Sequence, residues 1–260
     1  MKKYLKIWWI FTLGSFQIQM NIRWGLGLFL FAKVLRFATF TIFLVILLKS
    51  TKVLAGYNLD QIILFFLSFN FIDVLSQLLF REVYRFRQKV LSGAFDFYLI
   101  KPVSPLFRSL FTGADILDFI TLIPLIWAII YFINKMHLME ISNLLIYFLM
   151  LSLGFLIACS CHILVLSLGI LTTEIDNAIM LYRDIVGLGR MPIDIYMEPV
   201  RSLLTFVIPV AVMMTFPAKT LMGLLSFQFI FYSSIYTFLL FFLSLKSWDF
   251  ALKNYSSASS

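Results

Sequence analysis

Five stretches of this chain, at about 27–48, 59–80, 110–133, 144–171 and 223–245, are each long and apolar enough to cross a bilayer as a helix, which takes about 20 residues. No other feature narrows the fold as far. A segment inside hydrocarbon must satisfy its own backbone hydrogen bonds, so it is either a helix or a strand of a closed barrel. Runs such as Ile62-Ile63-Leu64-Phe65-Phe66-Leu67 lack the in–out alternation of a barrel strand. A sixth apolar stretch, 200–216, is short and contains Pro209, which points to a brief or broken crossing. The expectation is an all-α polytopic membrane helix bundle with about six spans. Composition agrees, since 62% of the 260 residues are hydrophobic and 13% charged, against about half and about a quarter in a soluble domain.

The basic residues set the expected orientation. With the N-terminus inside, segments 1–23, 81–109, 172–201 and 246–260 hold 15 Lys and Arg, whereas 49–58, 134–143 and 217–222 hold 4. Cytoplasmic loops carry such an excess, so both termini are expected on the cytoplasmic side of a multi-pass protein of the cell inner (cytoplasmic) membrane. The transmembrane domain would cover 24–248, followed by a cytoplasmic tail at 249–260 that ends in Ser256-Ser257-Ala258-Ser259-Ser260. The excess of 21 Lys+Arg over 13 Asp+Glu then faces anionic headgroups and implies membrane lipid, not nucleic acid, as partner. In residues 1–23, Lys2, Lys3, Lys6, Gln17 and Asn21 fall in one helical sector, and Tyr4, Ile7, Phe11, Ile18 and Ile22 lie away from it. That pattern describes an interfacial helix. It lacks the small-residue cleavage site of a signal peptide.

Candidate chemistry is sparse. No G-x-x-x-x-G-K-[ST] loop is present, so the chain carries no phosphate cradle of that kind. Two Cys and two His are too few for a rich metal centre. Cys159 and Cys161 point to opposite sides of a helix, and Met136-His137-Leu138-Met139 is a weak copper signal; no metal is expected. Asp115 and Asp118 stand one turn apart, either as an interfacial pair balanced by Arg108 and the basic loop or as a metal site of a stand-alone membrane enzyme. Asp73, inside the second span, is expensive there unless it faces protein or water. It pairs with Lys33 or Arg36 of the first span, or it lines the path of an ion-coupled carrier.

The segment between the second and third spans is the most structured of the loops. A basic helix through Arg81, Glu82, Arg85, Arg87 and Lys89 stops at Gly93, an aromatic turn with Phe95 and Asp96 follows, and Lys101-Pro102 and Ser104-Pro105 hold the chain extended. A positive-inside loop explains the basic residues but not this ordered punctuation, which suits a docking surface for a cytoplasmic partner. The pattern E-x(10)-G-x-[LF]-D-x-x-L-[LI]-[KR]-P-x-[SN]-P is met by Glu82, Gly93, Phe95, Asp96, Leu99, Ile100, Lys101, Pro102, Ser104 and Pro105. It resembles the ABC-2-type permeases, six-span membrane subunits of ATP-binding cassette transporters. Ile208-Pro209-Val210-Ala211, Phe216-Pro217-Ala218 and Lys253-Asn254-Tyr255-Ser256-Ser257-Ala258 are similar to later elements of that family, with Phe216 where a Tyr is usual.

The resemblance implies a non-catalytic permease subunit, an exporter by preference. Two copies, or one copy and a paralogous permease, would form the pathway above two separately encoded ATPases, which bind the ATP and Mg. It also implies a coupling helix in the loop after the second span, with Glu82, Arg85, Gly93, Phe95, Asp96, Lys101, Pro102 and Pro105 at the ATPase interface. At 172–199, a capping box Thr173-x-x-Asp176 is expected to open an amphipathic helix with Ile175, Ile179, Tyr182 and Val186 on one face, forming a second cytoplasmic surface. Between the last two spans a broken, re-entrant helix is expected, with an outer gate of Met213, Met214, Phe216 and Pro217.

Overall fold

The computed structural model describes residues 2–172 and 175–256. Helix α1 (Lys2–Met20) turns at Asn21 and Ile22 into α2 (Arg23–Thr51). Helix α3 (Leu59–Leu79) opens on a capping box: the Asn58 side chain accepts from Gln61 N at 3.0 Å, and the Gln61 side chain accepts from Asn58 N at 2.9 Å. A 3-10 turn (Arg81–Arg85) leads to α4 (Phe86–Leu91), α5 (Asp96–Leu99) and α6 (Pro105–Phe111). Helices α7 (Ile116–Lys135), α8 (Ile141–Thr172) and α9 (Ile175–Gly187) follow, then α10 (Val200–Ser202), α11 (Phe216–Leu221) and α12 (Phe227–Lys253). The described residues contain no strand, and α2, α3, α7, α8 and α12 are long and apolar enough to cross a membrane.

Most of α3 is buried, while α2 is nearly bare along its apolar length. The core therefore centres on α3 and α8, with Phe65, Ile72, Tyr147, Met150 and Ile157 almost fully enclosed. The third long helix begins at Ile116 rather than near 110. Residues 105–111 instead form a separate helix, with Ser104 as its cap and Pro105 in its first turn. Asp115 then caps α7, accepting from Leu117 N at 2.9 Å.

Two groups of contacts mark the ends of the bundle. At the basic end, Lys3 Nζ donates to the Pro102 carbonyl (2.9 Å) and Tyr255 Oη to Asp96 (2.9 Å), so both ends of the described chain meet the 81–105 segment. At the far end, Lys135 Nζ donates to Asp60 (2.7 Å).

Segment 172–201 does not stay at one end of the bundle. Arg87 reaches Asp176 of α9 at 2.7 Å on the basic end, whereas Asp194 accepts from Tyr57 (3.0 Å) and Lys219 (2.8 Å) on the far end. The 18 positions between the two aspartates rise about 27 Å if helical, close to the hydrocarbon thickness of about 30 Å. Helix α9 and the two 3-10 turns after it (Leu188–Arg190 and Ile193–Ile195) make up this run between the two ends. Thr173, the expected cap of α9, lies outside the described residues, as do Ser257–Ser260 of the tail.

Segment 200–221 is instead a hairpin inserted from the far end. Its first limb, Val200–Val207, runs beside the start of α12, where Tyr232 Oη donates to the Thr205 carbonyl (3.4 Å) and Tyr236 Oη to that of Val207 (3.0 Å). The chain bends by 82° at Pro209, and Ala211–Leu221 returns along α8. Gly154 of α8 allows this close approach, because a Cβ there would stand 2.7 Å from the Met213 carbonyl oxygen. π-helical turns at Leu203–Val207 and Ala211–Thr215 flank the bend, as expected where Pro209 removes a donor from the ladder.

Candidate functional site

The 81–105 segment is held by an aromatic cluster. Phe86 and Phe95 are fully buried and meet edge to face at 5.0 Å, with Tyr255 edge-on to Phe95 at 5.2 Å and Trp248 packed at 6.3 Å. Gly93 makes the turn between α4 and α5 at φ +70°, a conformation that disfavours any side chain. Glu82 is buried and forms an ion pair with Lys89, with Arg85 at 3.9 Å. Arg108 lies over the Tyr98 ring at 3.8 Å. Burial, together with Arg108, lowers the Lys89 ammonium to about 8. Burial and the accepting Asp96 carboxylate push the Tyr255 phenol up to about 12, so it remains a donor at neutral pH.

This packing divides the expected interface residues into two sets. Glu82 and Phe95 are buried, and Asp96 is half-buried and bonded to Tyr255, so these residues brace the segment from within. Arg85, Lys101 and Pro102 are exposed, Gly93 and Pro105 half-buried. Large apolar side chains are exposed among them: Ile100 is 77% exposed, Phe97 60% and Leu91 54%. A loop outside the bilayer has no reason to show three large apolar side chains unless something covers them. Their signal in the sequence was the interleaving of apolar residues among the punctuation, but the buried and bare members of that series alternate with the turn and cannot be sorted before it is built.

The acidic residues of the spans are accounted for differently from expectation. Lys33 forms its ion pair with Asp118, not Asp73. Asp115 is balanced by the basic loop, as expected, but through Arg81 at 3.3 Å rather than Arg108. Asp73 accepts from Gln77 Nε2 (2.8 Å) one turn along its own helix, and Arg36 is exposed with its guanidinium 5.7 Å from the Phe37 ring. Asp115 and Asp118 are thus each engaged by a cation, and no group of three or more His, Cys, Asp or Glu suited to a metal occurs among the described residues.

A family model described as "ABC-2 family transporter protein" matches residues 34–259. The chain belongs to the ABC-2 transporter family. No curated protein and no solved structure matches it. As an ABC-2 family chain it is the permease subunit of an ABC transporter, a multi-pass membrane protein of a family that works with ABC ATPase subunits in general. The match takes in both the braced 81–105 segment and the hairpin.

In this ABC-2 permease the second limb of the hairpin packs against α8 and α3. Met213, Met214, Phe216 and Pro217 are all buried at or beyond the bend. The hairpin is fastened by Asp194, whose carboxylate takes Lys219 (2.7 Å), Arg201 (3.2 Å) and Tyr57 (3.0 Å), joining both limbs to the loop before α3. Burial and the adjacent Asp194 push the Tyr57 phenol up. Asp194 was not among the expected site residues, because the sequence reading left it on a loop at the opposite end.

Proposed function

We propose that this permease forms the pathway half of an exporter in the cell inner membrane. Two copies, or one copy and a paralogous permease, enclose the pathway, and two separate ATPases bind ATP and Mg and dock on the Leu91–Phe97–Ile100 surface at the cytoplasmic end. The observation that carries this reading is the exposed face of α9. The segment runs from one end of the bundle to the other, yet Asp184 and Arg190 are exposed along it. Charged groups at membrane depth belong against protein or water rather than lipid. A single copy leaves them uncovered; a second permease facing them would enclose a polar path.

Helix α12 gives the coupling a physical route. One end meets the docking segment through Trp248 and, just beyond it, Tyr255; the other contacts the first hairpin limb through Tyr232 and Tyr236. A shift of the docking segment on ATP binding would reach the hairpin along one rigid helix. The buried hairpin plugs the far end, which suits loading from the cytoplasmic side and release outward.

Co-expression with a P-loop ATPase encoded beside it tests the assembly. A complex of two permeases and two ATPases, with hydrolysis only when the ATPase is present, is the expected result. Purification of the permease without any ATPase, or hydrolysis by this chain alone, would contradict it.

A further inference from the structure

We infer that Asp73 of α3 and Arg183 of α9 are two halves of an ionic gate at the basic end of the pathway, apart in this arrangement and joined when the docking segment moves. Neither has an ion pair among the described residues: Asp73 takes Gln77 of its own helix (2.8 Å), and Arg183 lies over the Tyr84 ring at 5.8 Å. They stand at one depth. Asp73 lies six residues before Leu79, the end of α3, and Arg183 seven after Asp176, so both are about 10 Å into the bundle from the basic end. Tyr84 is common to both, because the Asp73 charge reaches its hydroxyl and that of Tyr182, the neighbour of Arg183. Arg81, the other guanidinium near the Tyr84 ring (5.7 Å), is already paired with Asp115.

A carboxylate and a guanidinium at this depth are costly unless each meets water or the opposite charge. The packing beneath them is under-bonded as well. Ser76 Oγ, one turn on from Asp73, and His162 Nε2, whose ring packs on Tyr182 at 4.8 Å and Phe80 at 4.9 Å, are buried without a hydrogen-bond partner among the described residues. Buried polar groups are nearly always paired, so a junction of α3, α8 and α9 with two orphans suits a second arrangement. Helix α9 packs chiefly on α8. The turn beyond its far end is pinned, since a Cβ on Gly189 would stand 2.9 Å from both Met214 Cβ and Val210 Cγ1. Its basic end is tied to α4 by the exposed pair of Arg87 and Asp176 at 2.7 Å. A shift of α4 with the docking segment would swing α9 about its pinned end and carry Arg183 to Asp73, where the guanidinium fork suits the carboxylate. The motive force rests on the ATPase reading given above.

Asp73→Cys with Arg183→Cys, in a full-length chain freed of Cys159 and Cys161 and treated with a short bismaleimide in nanodiscs, tests the gate. A slow link should form in the permease alone, and a link about tenfold faster in the permease–ATPase complex trapped with ATP and vanadate, an ordinary size for coupling between sites. In the second arm, Asp73→Arg and Arg183→Asp should each cut ATPase stimulation about tenfold, the loss expected for one charge-assisted contact, and the exchange carrying both should restore most of it. Lost packing alone would not be rescued in this way. If the exchange fails to fold, the link decides. Assembly is read separately by co-purification: a missing complex contradicts the ATPase reading, whereas the permease's own link still tests the gate. No link in any state, the same rate with and without trapped nucleotide, or a folded exchange no better than either single variant would each overturn the inference.

Discussion

Tyr255 donates to Asp96 across 2.9 Å and 159 positions of sequence, joining the end of the last long helix to the middle of the docking segment. The bond sits beside the edge-to-face contact of Tyr255 with Phe95, so one side chain holds both a buried ring and a carboxylate of the segment. Because the phenol titrates only near 12, the donor persists at neutral pH.

Tyr255→Phe keeps the ring contact and removes only the hydroxyl. The loss should be about 1 kcal/mol of stability, the net worth of one hydrogen bond, together with partial loss of ATPase stimulation. Thermal unfolding and hydrolysis assays on the same preparation check it. Unchanged stimulation would show that the tie between α12 and the docking segment carries no coupling.

Asp194→Asn should loosen the hairpin. Lys219 is only 13% exposed and would lose its counter-ion, and breaking a buried pair by removing one partner costs about 3 kcal/mol or more. Hydrogen exchange of 200–221 should rise while that of α3 stays protected. Uniform protection across both would contradict the lock.

Single cysteines in a cysteine-free background test the crossing by α9. Labels at Ser50, Asn134 and Met197 should react from outside, and labels at Ser92 and Ser256 only after permeabilisation. Met197 decides between the two arrangements, since a loop at 172–201 would put it inside. Its side chain is 84% exposed, so access is not limiting.

The long apolar helices, the break at Pro209 and the punctuation of 81–105 were legible because each depends on local chemistry: length, a missing N–H, a positive φ. The α9 crossing was not. Its 13-residue helix ends at Gly187, its continuation is broken by Pro192, and it carries Asp176, Arg183, Asp184 and Arg190, so no apolar run marks it. A crossing with protein on one side and, as proposed, a polar path on the other would not need such a run. The ion pairs were equally hidden. Lys33 could reach acids on α3 or α7, and only the packing of α2 against both selects Asp118 over Asp73. Within the docking segment, Phe95 and Phe97 are indistinguishable as letters, yet one turn buries the first and bares the second.

The central claim, that Leu91, Phe97 and Ile100 form the surface an ATPase covers, is tested most directly by ATP hydrolysis in the reconstituted complex carrying Ile100→Asp or Phe97→Asp. Both side chains are exposed in the permease, so its own Tm should hold, in contrast to Phe95→Ala, which should cost about 3 kcal/mol or more. The predicted result is loss of ATPase assembly and of stimulated hydrolysis with an unchanged permease Tm. Full assembly and full stimulation by both aspartate variants would contradict the account.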